Sequence, residues 1–255
     1  MPRSSSAYGA ASFSFGPGPL STALKYLIGV NVGVFLIQGV LGIALPDIAE
    51  RARWMFGLMP ATVYGQGHVW QLVTYMFLHG GVWHILFNML ALWMFGVELE
   101  RIWGTRYFLK FYFVTGIGAG VLTVLVSLLP FEFTAALRHS IIIGASGAVY
   151  GLLLAYGMYF PDRPIYMYLV FPIPAKYFVM IMGALAFYSS LGDSGVANAT
   201  HLGGLLVAYV FLKSGNAHPM SEIKYRYLKW KINRVRRKFD VYSGGRADDW
   251  DRRVH

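Results

Sequence analysis

The sequence predicts an all-α, polytopic membrane helical bundle of six spans, and three observations point to it. Residues of the set AVILMFWYC make up 56% of the 255 residues, and charged residues only 13%. A soluble domain carries about 25% charged residues, so too few charges remain to cover a water-facing surface. The apolar residues gather in runs of roughly 20, the length a helix needs to cross hydrocarbon. The net charge of +10 is lopsided, because more than half of the 22 Lys and Arg residues follow Leu212. A basic tail of that kind marks the cytoplasmic side of a membrane protein rather than a nucleic-acid reader. With no cysteine in the chain, neither disulfides nor thiol chemistry enter.

Residues 1–20, small and rich in Ser, Gly and Pro, are expected to form a disordered leader. The membrane domain is expected over 21–213. Its first span runs from about Thr22 to Leu45 and stops at Pro46. The second covers Trp83 to Leu99, ending at Glu98, Glu100 and Arg101; the third covers Tyr107 to Leu129, closed by Pro130. The fourth is short, Ser146 to Phe160, stopped by Pro161. The fifth, Tyr177 to Leu191, follows Pro172 and Pro174, and the sixth runs from Thr200 to Leu212. Between the first two, Trp54–Met59 and Val69–Leu78 are apolar but interrupted by Pro60, Gly65 and Gly67. A half-immersed first outer loop, with Trp54 and Trp70 at headgroup level, suits them better than a span. Residues 214–255 read as a basic cytoplasmic tail, with Ile223–Phe239 helical and resting on anionic lipid.

Orientation follows from the basic residues. With the N-terminus inside, the inner loops hold Lys25, Arg101, Arg106, Lys110, Arg163, Lys176 and the tail, while the outer loops hold only Arg51, Arg53 and Arg138. That is the positive-inside bias. Both termini are therefore expected in the cytoplasm.

Polar residues inside spans are costly and are functional candidates for that reason. On this topology, spans two, four and six all begin at the outer surface. Each carries its polar residues in its first turns: His84 and Asn88, Ser146, and His201. Three spans thus bring reactive groups to one leaflet. Ser146 sits in GASGAVYG, where Gly144 permits a sharp turn into the helix and Gly147 and Gly151 permit close helix approach. Backbone N–H groups at the helix start are free to donate to an oxyanion. A serine hydroxyl attacks well only when a base takes its proton; His201, with Gly203 and Gly204 beside it, is the candidate base. His84 and Asn88, four apart, share a helix face and suit an oxyanion hole. No HExxH, cysteine or intramembrane carboxylate completes a metal site around them. Asp193, in a short outer loop without a second carboxylate, reads as a solvated charge.

The fourth span also offers a route for water. Its 15 or so residues give roughly 22 Å against about 30 Å of hydrocarbon. Ser146 then lies beneath the outer surface, under irregular backbone from Pro130 to Ala145 that must line a wet cavity or be shielded by protein.

From about Trp70 to Leu212, these residues resemble the rhomboid intramembrane serine proteases. GASG around Ser146 is similar to the family's nucleophile motif, His201 in ATHLGG to its histidine base, and HILFNM, with His84 and Asn88, to its second-span motif. Tyr150 matches a tyrosine that packs against the histidine. Glu100 and Gly104 resemble a structural turn, and His79 a structural loop histidine. Where rhomboids often have Trp-Arg in the first outer loop, this chain has Trp70-Gln71, which removes a charged hydrogen-bonding group from loop packing.

The resemblance implies a Ser146–His201 dyad; the short leader and compact six-span core suggest a bacterial inner membrane, and the topology opens the site to the extracytoplasmic side. Ser146 would attack an unwound carbonyl of a single-span transmembrane protein. His84, Asn88 and the Ser146 backbone N–H would hold the oxyanion, and no metal, nucleotide or other cofactor would take part. Two alternatives stand beside it. An inactive rhomboid-like binder of transmembrane helices, acting in quality control, predicts loss of the serine or histidine, and both are present. A transporter predicts polar groups at the midplane.

Overall fold

The computed structural model describes residues 18–167, 171–190 and 196–214. Most of the leader, Asp193 and the basic tail lie outside the described residues. Helix α1 (Thr22–Ala44) starts at Ser21, whose hydroxyl accepts the Leu24 N–H at 3.1 Å, and runs to Pro46, where α2 (Pro46–Phe56) begins. Proline ends the first helix because it lacks an N–H, and opens the second because no donor is needed in a first turn.

The interrupted stretch between the first two spans resolves into short helices rather than open loop. After α2 come α3 (Pro60–Gln66), α4 (Gln71–Thr74) and a 3₁₀ turn, Tyr75–Phe77. Gln71 holds them together. Fully buried, its carboxamide oxygen accepts from the Met59 N–H at 3.0 Å and the Thr62 hydroxyl at 2.8 Å, and its NH₂ donates to the carbonyls of Trp54 and Met55. The neutral amide thus serves four backbone and side-chain groups in the place where the sequence reading stressed a missing charge.

Helix α5 (Val82–Trp103) continues four residues past the expected end. Glu100 explains this, since its carboxylate accepts from the Ser21 hydroxyl and, at 2.6 Å, from Thr105. It stays inside the bundle instead of marking a surface. Gly104, at φ +76°, then turns the chain into α6 (Thr105–Ser127). The segment expected to be irregular from Pro130 to Ala145 contains α7 (Glu132–His139), and the described part is clamped to the short-helix region by paired backbone bonds between Leu58 and Ile142.

Helix α8 (Ser146–Tyr159) is the buried axis, packed on α5, α6 and α9, with Ala148, Leu152 and Ala155 fully enclosed. An antiparallel hairpin follows, β1 (Pro164–Met167) with β2 (Phe171–Pro174), which the sequence reading did not anticipate. It leads into α9 (Ala175–Ser190) and, past residues 191–195, α10 (Val196–Lys213), which begins four residues before the expected Thr200. Among the described residues three helices are long and apolar enough to cross a membrane: α1, α5 and α6.

Candidate active site

Short and small-residue-rich, α8 lets its neighbours approach at backbone distance. On α6, Thr115 abuts Gly151 and Ala119 abuts Gly147, where an added Cβ would come within 2.9 Å of either side chain. On α10 the two glycines divide the work: Gly203 lies on the Ala119 backbone of α6, and a Cβ on Gly204 would overlap the Gly147 carbonyl of α8. Close approach of this kind requires glycine. One turn before that contact, α10 carries His201; one residue before Gly147, α8 carries Ser146.

There the two side chains meet. His201 Nε2 lies 2.7 Å from Ser146 Oγ. The Tyr150 ring stacks flat on the His201 imidazole, with centroids 4.4 Å apart and planes 5° from parallel. Beneath α10, the Thr200 hydroxyl is 2.9 Å from that of Thr123, both buried, which fixes the helix beside His201. His201 Nδ1 is buried without a hydrogen-bond partner, so the imidazole is oriented by stacking and not by a third polar residue.

The turn before Ser146 is set by Gly144 and Tyr75. Gly144 has φ +126°, a conformation side chains resist, and a Cβ there would stand 2.7 Å from His84 Nε2. Its N–H donates to the Tyr75 carbonyl at 2.8 Å, while the Tyr75 hydroxyl donates to the Gly116 carbonyl at 2.7 Å. On the facing side, Gly80 N–H donates to His84 Nδ1 at 3.3 Å. With Nδ1 accepting, the neutral ring carries its proton on Nε2, and that N–H faces the Gly144 turn. Asn88 donates through Nδ2 to the His84 carbonyl at 2.8 Å, leaving a second amide hydrogen. As the first residue of α8, Ser146 has a backbone N–H with no intrahelical partner.

All five of these polar residues, Ser146, His201, His84, Asn88 and Tyr150, line one cavity of about 600 Å³. Its remaining wall is mostly apolar and extends down α5 to Phe95, past α9 at Met182, to the hairpin at Ile165. Among the described residues no group of three or more His, Asp or Glu is arranged to hold a metal ion. His79, in the turn between Phe77 and α5, packs edge-on to His84 with centroids 5.1 Å apart. Burial and then the neighbouring His84 push its pKa down to about 4. Sequence reasoning missed four contributors: Tyr75, Thr123, Thr200 and the Gly80 N–H. No motif spacing signals a backbone donor. The threonines look like ordinary span residues because each can bond its own helix.

The chain thus holds a serine against a stacked imidazole at the glycine-lined start of a short buried helix in a helical membrane protein. The chain belongs to the rhomboid family: the Rhomboid domain model matches residues 66–214. It is accordingly an integral membrane protein. It is 33% identical over 151 residues to rhomboid protease GluP of Bacillus subtilis, covering 59% of this chain and 27% of that protein. With rhomboid protease AarA of Providencia stuartii it shares 30% identity over 208 residues, 77% of this chain and 72% of the relative. Rhomboid protein 1, mitochondrial, of Saccharomyces cerevisiae is 28% identical over 194 residues, 72% of this chain and 51% of the relative. The chain thus spans about a quarter, nearly three quarters and half the lengths of these relatives.

Proposed function

We propose that this protein is an intramembrane serine endopeptidase that cleaves transmembrane proteins with Ser146 as nucleophile and His201 as base. The 2.7 Å contact between Ser146 Oγ and His201 Nε2 carries the reading; family membership and the proteases named among its relatives support it. His201 takes the Ser146 proton as Oγ bonds to the substrate carbonyl carbon. The same imidazole then delivers that proton to the leaving amide nitrogen as the C–N bond breaks. Water, deprotonated in turn by His201, hydrolyses the acyl-enzyme and restores the serine.

Negative charge on the carbonyl oxygen is met by the Ser146 backbone N–H, His84 Nε2–H and the free hydrogen of Asn88. A dyad lacks the carboxylate that orients histidine in a triad, and Tyr150 supplies orientation by stacking. Gly144, Gly147 and Gly203 act as supports: the first shapes the turn, the others set helix spacing. The apolar cavity wall suits a helical substrate whose upper end has unwound, since a stable helix hides its carbonyls. Single-span proteins with small or helix-breaking residues near their outer ends fit that requirement. In this reading all six segments α1, α5, α6, α8, α9 and α10 span a bacterial inner membrane, both termini are cytoplasmic, and the dyad opens to the extracytoplasmic side.

The test is labelling by a serine-directed phosphonate in detergent-solubilised wild type, Ser146→Ala and His201→Ala. Label is expected in the wild type alone; equal labelling of Ser146→Ala removes the nucleophile assignment.

A further inference from the structure

A second cavity, of about 520 Å³, lies between α1, α2 and the turn Leu78–Gly81, and shares no lining residue with the cavity of the dyad. Its walls combine polar groups that are only partly satisfied by one another. His79 is 3% exposed, and neither ring nitrogen has a well-formed hydrogen bond, although the Phe77 backbone carbonyl lies near the ring. Gln38 sits deep in the apolar run of α1, a costly place for a carboxamide; its oxygen accepts the His79 N–H at 3.1 Å, which leaves the NH₂ to donate into the cavity. On α2, Glu50 and Arg53 stand one turn apart at the rim, and neither forms an ion pair among the described residues. The rest of the wall is apolar, including Phe35 and Leu41. It is roomy because Gly39 and Gly42 leave open space. It adjoins a strongly exposed apolar face of α1 at Leu36, Ile37 and Val40.

Buried polar groups without partners are costly and ordinarily find one. A small polar solute would leave the hydrocarbon wall bare, and a hydrocarbon would leave the Gln38 amide and the His79 ring unmet, while Glu50 and Arg53 stand exposed at the rim to meet a headgroup. An amphiphile with adjacent anionic and cationic groups satisfies both. We propose that this cavity is a binding site for a zwitterionic phospholipid with an ethanolamine headgroup. The phosphate takes hydrogen bonds from Arg53, the Gln38 amide and an imidazole N–H of His79. The ammonium donates to Glu50, and the glycerol end of a chain lies along Phe35 and Leu41. Phosphatidylcholine fits less well because its quaternary ammonium donates no hydrogen bond, and phosphatidylglycerol has no cation for Glu50. The occupant also reaches the chemistry indirectly: its wall includes Gly80, whose N–H fixes His84 Nδ1, and Ile143, one residue before Gly144.

The experiment is native mass spectrometry of full-length protein released from detergent after exposure to equal amounts of phosphatidylethanolamine, phosphatidylcholine and phosphatidylglycerol. The readout is independent of proteolysis, so its failure is separate from failure of the protease reading. One retained phosphatidylethanolamine is expected, in preference to the other two. Arg53→Gln should lower its retention about tenfold, the loss of one charge-assisted hydrogen bond, and Gly39→Leu should block the site by filling it. Glu50→Gln should erase the preference over phosphatidylglycerol. Retention without headgroup preference, or unchanged in both Arg53→Gln and Gly39→Leu, overturns the site. Arg53 is exposed on a short surface helix, so its variant folds even if a helix α1 change does not.

Discussion

Gly204 on α10 lies directly against the carbonyl of Gly147 on α8. The spacing between the helices that carry His201 and Ser146 is set by two absent side chains. A methyl group at position 204 must push α10 away, and a displacement near 1 Å can cost about 100-fold in rate. Gly204→Ala is therefore expected to cut phosphonate labelling of Ser146 by about that factor while the protein remains helical by circular dichroism. Wild-type labelling in this variant would show that the contact does not position the dyad.

Tyr150 separates orientation from acid–base chemistry. Because its face, not its hydroxyl, meets His201, Tyr150→Phe should retain most activity. Tyr150→Ala should lower kcat about tenfold or more with little change in KM, as the imidazole gains rotational freedom. Equal losses in both variants would point to the hydroxyl instead.

Asn88 already spends one amide hydrogen on the His84 carbonyl. Its replacement by Ala should leave the labelling site at Ser146 but slow turnover, since a lost oxyanion donor costs about 10²–10³. Turnover at the wild-type rate would take Asn88 out of the oxyanion hole.

Gln71 is the polar hub of the short helices. Gln71→Leu removes partners from Met59, Thr62, Trp54 and Met55 at once and should destabilise the fold by about 3 kcal/mol, read as a lower unfolding midpoint in detergent. An unshifted midpoint would mean that water replaces the amide there.

His79 gives a pH dependence with a definite sign. Folded, it protonates only near pH 4; unfolded, it does so at the ordinary histidine value of about 6.5. Between those values the unfolded chain binds the extra proton, so His79 lowers stability as pH falls from about 6.5 towards 4. The measurement is the difference in stability between wild type and His79→Gln in lipid-free detergent. That difference should shrink on acidification through the window, and a difference independent of pH would contradict the assignment.

The sequence made the long helices legible because a membrane span must be continuous and apolar. The start of α1 at Thr22 and of α8 at Ser146 could be read directly from proline and glycine punctuation. Helices α2, α3 and α7 and the β-hairpin were not legible. Each is short and held by tertiary bonds, such as those of Gln71 or the Leu58–Ile142 pair, that no local pattern encodes. Glu100, which the resemblance gives as part of a structural turn, still placed the end of the second span too early: a carboxylate at the end of an apolar run reads as a boundary unless its hydroxyl partners, 79 and five residues away, are known. In the candidate site, the glycine-flanked serine and histidine stood out. The Thr123–Thr200 pair did not, because Thr123 also bonds the Ala119 carbonyl of its own helix.

The two carboxylates near the end of α5 act as rivets. Glu98 grips Arg163, just ahead of the hairpin, while Glu100 ties the first turn of α1 to that of α6. Both lie at the opposite end of α5 from His84. Should the bundle part to admit a guest helix, it would have to splay like a fan from this riveted end, with the widest gap arriving beside Ser146.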